Sequence, residues 1–302
     1  MENRSIGGVI ALLLASLLWG TTGTSATFLP HDVSPIAVGA STMGIGGLLL
    51  FITAPRMSLS VLRDPRARRW VALGAVGVFV YPLAFYSAMN LAGVAVGNVV
   101  ALGSGPAFAA LYEWLGERHS LSRRWAISTG LALVGIVLLA LGREAGGAGP
   151  SSGTLPGVAL GLLAGSAYAL YTYASSRAIR LGRPSRAVMG SMFGIGAVLL
   201  LPVLIATGAP LLQSWSTVGI AGYLAIGPMF VAYLLFGIGL RTVRSSAATT
   251  ITLLEPVVAT ILAVLVVGER LGTIAWIGLG LVFAGLAALV TARRAPNNAE
   301  RP

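Results

Sequence analysis

Ten long apolar runs, separated by short polar segments, carry nearly the whole chain: about Ile6–Phe28, Pro35–Ala54, Trp70–Met89, Val94–Leu115, Trp125–Leu141, Leu155–Ser176, Ala187–Thr207, Val218–Leu240, Ser245–Val267 and Gly272–Thr291. A helix needs about 20 residues to cross ~30 Å of hydrocarbon. Strands of a membrane barrel would instead alternate apolar and polar residues over segments of about 10 residues, and no such alternation occurs. The pattern predicts an all-α polytopic membrane protein with ten transmembrane helices, each satisfying its own backbone in lipid. One run departs from it. Within Ser245–Val267, the residues Thr249, Thr250, Thr252, Glu255 and Pro256 stand where lipid-facing side chains would be. A charged group at mid-membrane costs ~2.5–3.5 kcal/mol on insertion scales, so it turns to a bundle interior or a watered cavity. Pro256 cannot donate to the helix ladder and crowds the carbonyl of Thr252. A polar, broken helix at this depth is where transporters place binding sites.

The same design occurs earlier. Val94–Arg118 carries Pro106, 150 residues before Pro256, and both segments close in Gly-Glu-Arg, at Gly116–Arg118 and Gly268–Arg270. Gly130 and Gly135 match Gly280 and Gly285, and Gly8–Gly20 aligns with Gly157–Ala169, which sets Trp19 opposite Tyr168. The chain reads as a tandem duplication: a first repeat over 1–141, an outer Gly/Ser-rich linker over 142–154, a second repeat over 155–292 and a disordered cytoplasmic tail over 293–302. Five spans per repeat is an odd number, so the second copy enters the membrane from the opposite side, as inverted repeats do. Pro82 and Pro228 interrupt the third and eighth runs, so Pro82, Pro106, Pro228 and Pro256 are the expected helix breaks. Gly157, Gly161 and Gly165, like Gly93 and Gly97, recur at the four-residue spacing that lets helices approach closely.

Composition agrees. Of 302 residues, 56% are hydrophobic and 10% charged, against about 25% charged in soluble domains. The absence of cysteine removes disulfides, thiolate metal sites and cysteine nucleophiles. The net charge of +11 is topological and predicts no nucleic-acid partner. Arginines at 4, 56, 63, 66, 68, 69, 118, 123, 124, 177, 180, 183, 186, 241, 244, 293, 294 and 301 fall on one side of the ten runs, and only Arg143 and Arg270 on the other. The positive-inside rule places the first group, and both termini, in the cytoplasm. Ser58 and Ser152 then mark the cytoplasmic and outer faces. Arg4 before an apolar run also fits a signal peptide, but the repeat partner of that run argues for a retained helix.

Candidate chemistry points to binding. There is no lysine and no phosphate-binding loop, which excludes ATP-driven pumping by this chain. His31 and His119 form no metal pair, Asp32 and Asp64 lie in loops on opposite faces, and no catalytic triad, metal or cofactor is expected. Inside the runs stand Trp19, Thr21, Thr22, Thr24, Ser25, Tyr81, Asn98, Ser104, Tyr168, Tyr171, Tyr173, Tyr223 and Tyr233. Hydroxyls, one amide and aromatic faces suit a small amphipathic or zwitterionic solute whose ammonium sits over a ring. The same residues admit plainer roles: hydroxyls bond back to the i−4 carbonyl, and Trp70, Trp125 and Trp276 read as interfacial anchors. Glu113 reads as a snorkelling or paired surface acid, and Glu117 and Glu269 as helix-end partners of Arg118 and Arg270.

The five-helix repeat, Trp19–Gly20, Leu254–Pro256 and the two Gly-Glu-Arg closings resemble the EamA branch of the drug/metabolite transporter superfamily, and most of all its YddG-type amino-acid exporters of bacterial inner membranes. The resemblance covers nearly the whole chain. It implies ten helices, cytoplasmic termini and a central cavity shared by the halves. Gly105, standing where Glu255 stands in the second repeat, departs from the pattern and leaves any role of the acid to one half. The expectation is a secondary transporter in the lipid bilayer that exports amino acids or similar small metabolites. The alternatives are a non-transporting sensor or assembly subunit, or a multidrug or other metabolite exporter of the same fold. The expected cavity residues are Trp19, Tyr81, Asn98, Ser104, Tyr168, Tyr171, Tyr233 and Thr252. Glu255 is expected to be either a proton-titrating or a structural acid, with Thr252, Ser104, freed backbone or water as its partners.

Overall fold

The computed structural model describes residues 2–30, 32–92, 94–118, 122–141, 154–267 and 272–291. The linker 142–153, the tail 292–302, His31, His119, Gly93, Ser152, Glu269 and Arg270 lie outside the described residues. Among the described residues every regular element is helical: α1 Glu2–Ala26, α2 Pro35–Ile52, α3 Pro55–Arg63, α4 Pro65–Ala92, α5 Val94–Glu117, α6 Arg123–Leu141, α7 Thr154–Arg180, α8 Ser185–Thr207, α9 Trp215–Leu224, α10 Ala232–Gly239, α11 Ser245–Ile251, α12 Leu254–Leu262 and α13 Thr273–Thr291. A π-helical turn over Ala225–Val231 joins α9 to α10, and a second over Ala263–Val267 continues α12. Among the described residues, seven helical stretches are long and apolar enough to cross a membrane, from Ile6–Ala26 to Ser245–Val266, and Thr273–Leu289 is a shorter apolar one.

Local signals explain the boundaries. Ser34 and Ser214 cap α2 and α9 by accepting from the N–H groups of Ala37 and Thr217, each at 3.1 Å, satisfying donors that a helix start leaves open. Pro35 and Pro55 sit in the first turns, where no N–H is missed. Gly182, at φ +84°, turns the chain between α7 and α8, a conformation costly for other residues. Helices outrun the apolar stretches: α4 starts at Pro65 rather than near Trp70, and α7 continues to Arg180. Hydropathy marks the lipid boundary, whereas the backbone ladder runs on into arginine-rich segments.

Two expectations are corrected here. The segment after α2 is no simple loop but the nine-residue helix α3; it buries Val61 and Ser58 and leaves Met57 and Leu59 exposed. Ser58, wholly buried, is therefore no accessible face marker. Pro82 and Pro106 are not helix breaks either, since each lies inside a continuous helix, α4 and α5. Pro228, by contrast, sits in the π-helical turn, and Pro256 follows the interruption at Thr252–Leu253.

Helix contacts come in matching sets. α4 packs on α7 as α10 packs on α1, α5 on α7 as α12 on α1, α2 on α8, and α6 on α13. In the last pair, Gly135 lies against the backbone of Gly278 and Val282, and Gly285 against Ser128 and Ala132. The Gly157, Gly161 and Gly165 stripe lies against Ala92, Val100 and the Ala101–Ser104 turn, which is close packing of small residues. Buried hydroxyls largely bond back along their own helices, as Ser16 does to the Leu12 carbonyl and Thr260 to that of Pro256.

The arginine-rich end is tied by ions. Asp64 accepts two bonds from Arg183, at 3.0 and 2.6 Å; these, with the Arg66 N–H, hold its carboxyl below the usual carboxylate range. Glu117 pairs with Arg177, Arg180 and Arg244 at 3.1–3.2 Å, not with Arg118 as expected. Arg118 takes a positive φ of 52° and lies over the Trp114 ring. Burial alone would raise the Glu117 pKa, but Arg180, Arg177 and Arg244 outweigh it and hold the carboxyl below its ordinary value.

Candidate substrate cavity

A cavity of about 90 Å³ opens where α1, α2, α4, α5 and α7 meet α9, the π-helical turn, α10 and α12, large enough for several waters. Thr42 stands seven residues into α2, and Thr22 four from the end of α1. At 1.5 Å per residue, the space runs from mid-helix toward the end away from the arginines.

Its walls are mostly rings. Tyr81 of α4 lies 6.0 Å from both Tyr168 and Tyr171 of α7 and stacks on Phe85 at 5.4 Å. Trp19 of α1 tilts against Tyr233 of α10 at 5.0 Å. The phenols are fixed in pairs. Tyr171 and Tyr233 share a 2.7 Å hydrogen bond. The Thr252 hydroxyl donates to the Thr249 carbonyl at 3.0 Å, so it accepts from Tyr168 at 2.6 Å. Among the described residues, the hydroxyls of Tyr81 and Tyr86 have no hydrogen-bond partner.

Glu255 also lines this space, from the first turn of α12. Pro256 has no N–H for the Thr252 carbonyl, and the Glu255 N–H takes that carbonyl instead, at 2.9 Å. The freed backbone is thereby satisfied by main chain. The carboxylate itself has no hydrogen-bond partner among the described residues, so neither Thr252, Ser104 nor broken backbone holds it, contrary to expectation.

The structure brings Trp19, Tyr81, Tyr168, Tyr171, Tyr233 and Glu255 together, with Pro82 and Pro228 beside them. Asn98, Ser104 and Thr252 do not line the space, a correction with simple geometry behind it. Leu102 is the α5 residue that reaches the cavity. Ser104 lies about 200° further round the helix, where its hydroxyl bonds back to Ala101 at 3.4 Å and packs on Gly165. Asn98 is a turn away along the axis, and Thr252 stands behind the Tyr168 hydroxyl. Thr22, one of the hydroxyls inside the first run, lines the space as well, whereas Thr42, Met43, Phe85, Tyr86 and Met229 escape sequence reasoning. Phe85 and Tyr86 follow Tyr81 and Pro82 by one turn, a spacing that places them on the same face. Thr42 is a hydroxyl inside the second run, the signal that marks Thr22 in the first, whereas Met43 carries none in so apolar a helix.

Other polar residues serve the scaffold. Glu113 is not a surface acid. It is 1% exposed and accepts from the Ser245 hydroxyl at 2.6 Å, the Ser246 N–H at 3.0 Å and the Ser246 hydroxyl at 2.8 Å. An α5 carboxylate thus caps α11. Tyr223 is exposed and bonded to Thr21 at 2.7 Å. Trp70 is no free interfacial anchor, since it packs edge-on against Tyr173 at 5.7 Å with Arg69 and Arg177 over its ring.

A cavity of this kind inside a bundle rich in membrane-length helices fits a membrane transporter. The profile of the EamA-like transporter family matches residues 6–141 and again residues 155–291, and the chain belongs to that family. It is 34% identical over 296 residues to the uncharacterized transporter YwfM of Bacillus subtilis (strain 168), covering 96% of this chain and 95% of that protein. Identity to the threonine/homoserine exporter RhtA of Escherichia coli (strain K12) is 26% over 292 residues, 95% of this chain and 92% of the exporter. Identity to the aromatic amino acid exporter YddG of Ancylobacter novellus is 29% over 254 residues, 83% and 85% of the two.

Proposed function

We propose that this protein is a secondary transporter of a bacterial inner membrane that exports amino acids or similar small amphipathic metabolites. It works by alternating access, through ten spans arranged as two inverted repeats with both termini in the cytoplasm. The observation that carries the reading is the aromatic, hydroxyl-bearing cavity between the halves, bordered by the two irregular helices of the second. The exchange-related helix contacts support the repeat, the arginine distribution supports the orientation, and the two exporter relatives support the solute class. The bonds of Glu117, Glu113 and Asp64 tie helices together at the arginine-rich end, and their release is the step that this reading assigns to solute entry from the cytoplasm.

The test is flux. The purified protein in liposomes is screened for counterflow of radiolabelled amino acids, with and without a pH gradient, alongside Trp19→Ala and Tyr168→Ala. We expect saturable flux of at least one amino acid and a fall of tenfold or more in both variants at unchanged folded yield. Binding without flux for every amino acid would instead favour a sensor.

A further inference from the structure

The cavity holds one carboxylate and, among its described lining residues, no arginine or histidine. We propose that Glu255 receives an ammonium group, so that the site recognises the amine end of its substrate and not the carboxylate end. Primary amines and amino-acid amides are then ligands alongside amino acids. This deepens, and rests on, the transport reading of the same cavity.

Three observations carry it. First, Glu255 is half-buried and without a protein partner among the described residues, and a carboxylate at mid-membrane that no residue pairs needs a proton, water or a cation. Second, the surrounding wall is aromatic. Tyr81, Tyr86, Tyr168 and Tyr233 line the same cavity as Glu255, so the acid and the rings share one space. An ammonium there meets a counter-ion and ring faces together, and cation–π attraction strengthens when water is excluded. Third, nothing equivalent awaits a carboxylate. A bidentate guanidinium is the usual partner of that group, whereas this wall offers Thr22, Thr42, the Trp19 indole N–H and the two unpaired phenols, none of them charged. The Thr42 hydroxyl already donates to the Gly39 carbonyl at 3.1 Å, which leaves it only as an acceptor.

The test is a ligand series on the full-length protein in detergent, read by isothermal titration and by thermal shift. The probes are phenylalanine, phenylalanine amide, phenethylamine and N-acetylphenylalanine, with threonine, threoninamide and N-acetylthreonine as a second set. In whichever set the parent binds, the amide should bind at least as tightly, the phenethylamine should bind in the aromatic set, and the N-acetyl acid should be at least tenfold weaker. Glu255→Gln should weaken amine binding at least tenfold. The series on the unaltered protein stands even if that variant fails to fold. Equal or tighter binding of the N-acetyl acid, loss of binding on amidation, an unaffected Glu255→Gln, or no binding by any probe would overturn the inference. Amine binding without amino-acid flux would keep this inference and sink the exporter reading. Flux with carboxylate-dependent binding would do the reverse.

Discussion

Pro106 and Pro256 stand at matching positions of the two halves, yet α5 runs unbroken through the first, while α11 and α12 are separated just ahead of the second. The third and eighth segments differ likewise: α4 continues through Pro82, and the chain around Pro228 winds into a π-helical turn. The surroundings account for part of this. Gly103 and Gly105 precede Pro106 in α5, so few side chains crowd its ring, whereas Leu253, Leu254 and Glu255 precede Pro256 and a residue before proline avoids the α region. Gly105 has a further role: a Cβ there would lie 2.9 Å from the Tyr168 ring. The first half gives up a side chain at this position to seat a cavity tyrosine; the second places its acid there. α5 is also the post to which the broken helix is fixed, because Glu113 caps α11 and Glu117 binds Arg244 just before it. The first half supplies a continuous helix at this position and the second the irregular backbone, and discontinuous helices are where transporters place their sites.

The largest expected effect tests that division directly. Pro256→Ala allows α11 and α12 to join and swings the Glu255 carboxyl, and a displacement of about 1 Å at a working group costs on the order of 100-fold. Flux should fall by that order, while Pro106→Ala in the continuous helix stays within about threefold, since an interior proline is itself unfavourable there by ~3 kcal/mol. Equal losses in the two variants would erase the distinction between the halves. Gly105→Leu comes next. Overpacking costs about 1–3 kcal/mol, and Tyr168 must move to relieve it, so a roughly tenfold rise in the half-saturating solute concentration is expected at near-normal folded yield. Unchanged transport kinetics would remove Tyr168 from the cavity wall.

These asymmetries mark where the sequence was legible. Apolar run length predicted where helices lie, and the aligned Trp19 and Tyr168 pointed to a shared cavity, because both signals depend on local composition. The prolines misled for the first half: whether a helix breaks depends on neighbours that relieve or worsen the clash, and these come from Gly103, Gly105 and the facing α7. Glu113 looked like a surface acid since its sequence position is close to a span end; its burial depends on Ser245 and Ser246, more than 100 residues on in the chain. The chemistry of Ser104 and Thr252 suits a cavity wall, but helix azimuth turns Ser104 away and Thr252 stands behind the Tyr168 hydroxyl in the gap between α11 and α12.

A smaller effect is expected at the fixed end of α5. Glu117 is held below its ordinary pKa, so its contribution to stability is complete above the unfolded carboxylate value of about 4.3 and is lost as pH falls through its lower folded value. Its arginine partners are about a third exposed, which screens the pairs, so Glu117→Gln should lower Tm by only about 2–5 °C at pH 7. Melting curves against pH should show that gap constant from pH 8 to 5 and closing below about pH 4. A gap that closes by pH 6, or persists unchanged at pH 3, would contradict the ion-pair lock.

The smallest effect on transport comes from surface cysteines, and it decides whether the halves are inverted. The segment after the second span and the segment after the seventh are counterparts, so an inverted repeat puts them on opposite faces. Ser60 on α3 and Ser216 in the first turn of α9 are both exposed, unlike buried Ser58, and the chain has no native cysteine to confuse the signal. Ser60→Cys and Ser216→Cys should each transport within about twofold of the unaltered protein, surface changes usually staying within ~0.5 kcal/mol. In intact cells an impermeant maleimide should label Cys at 216 and leave Cys at 60 unlabelled until the membrane is opened. Labelling of both from outside would place the two segments on one face. The halves would then be parallel copies, and the contrast between a continuous helix and a broken counterpart would need another origin than inversion.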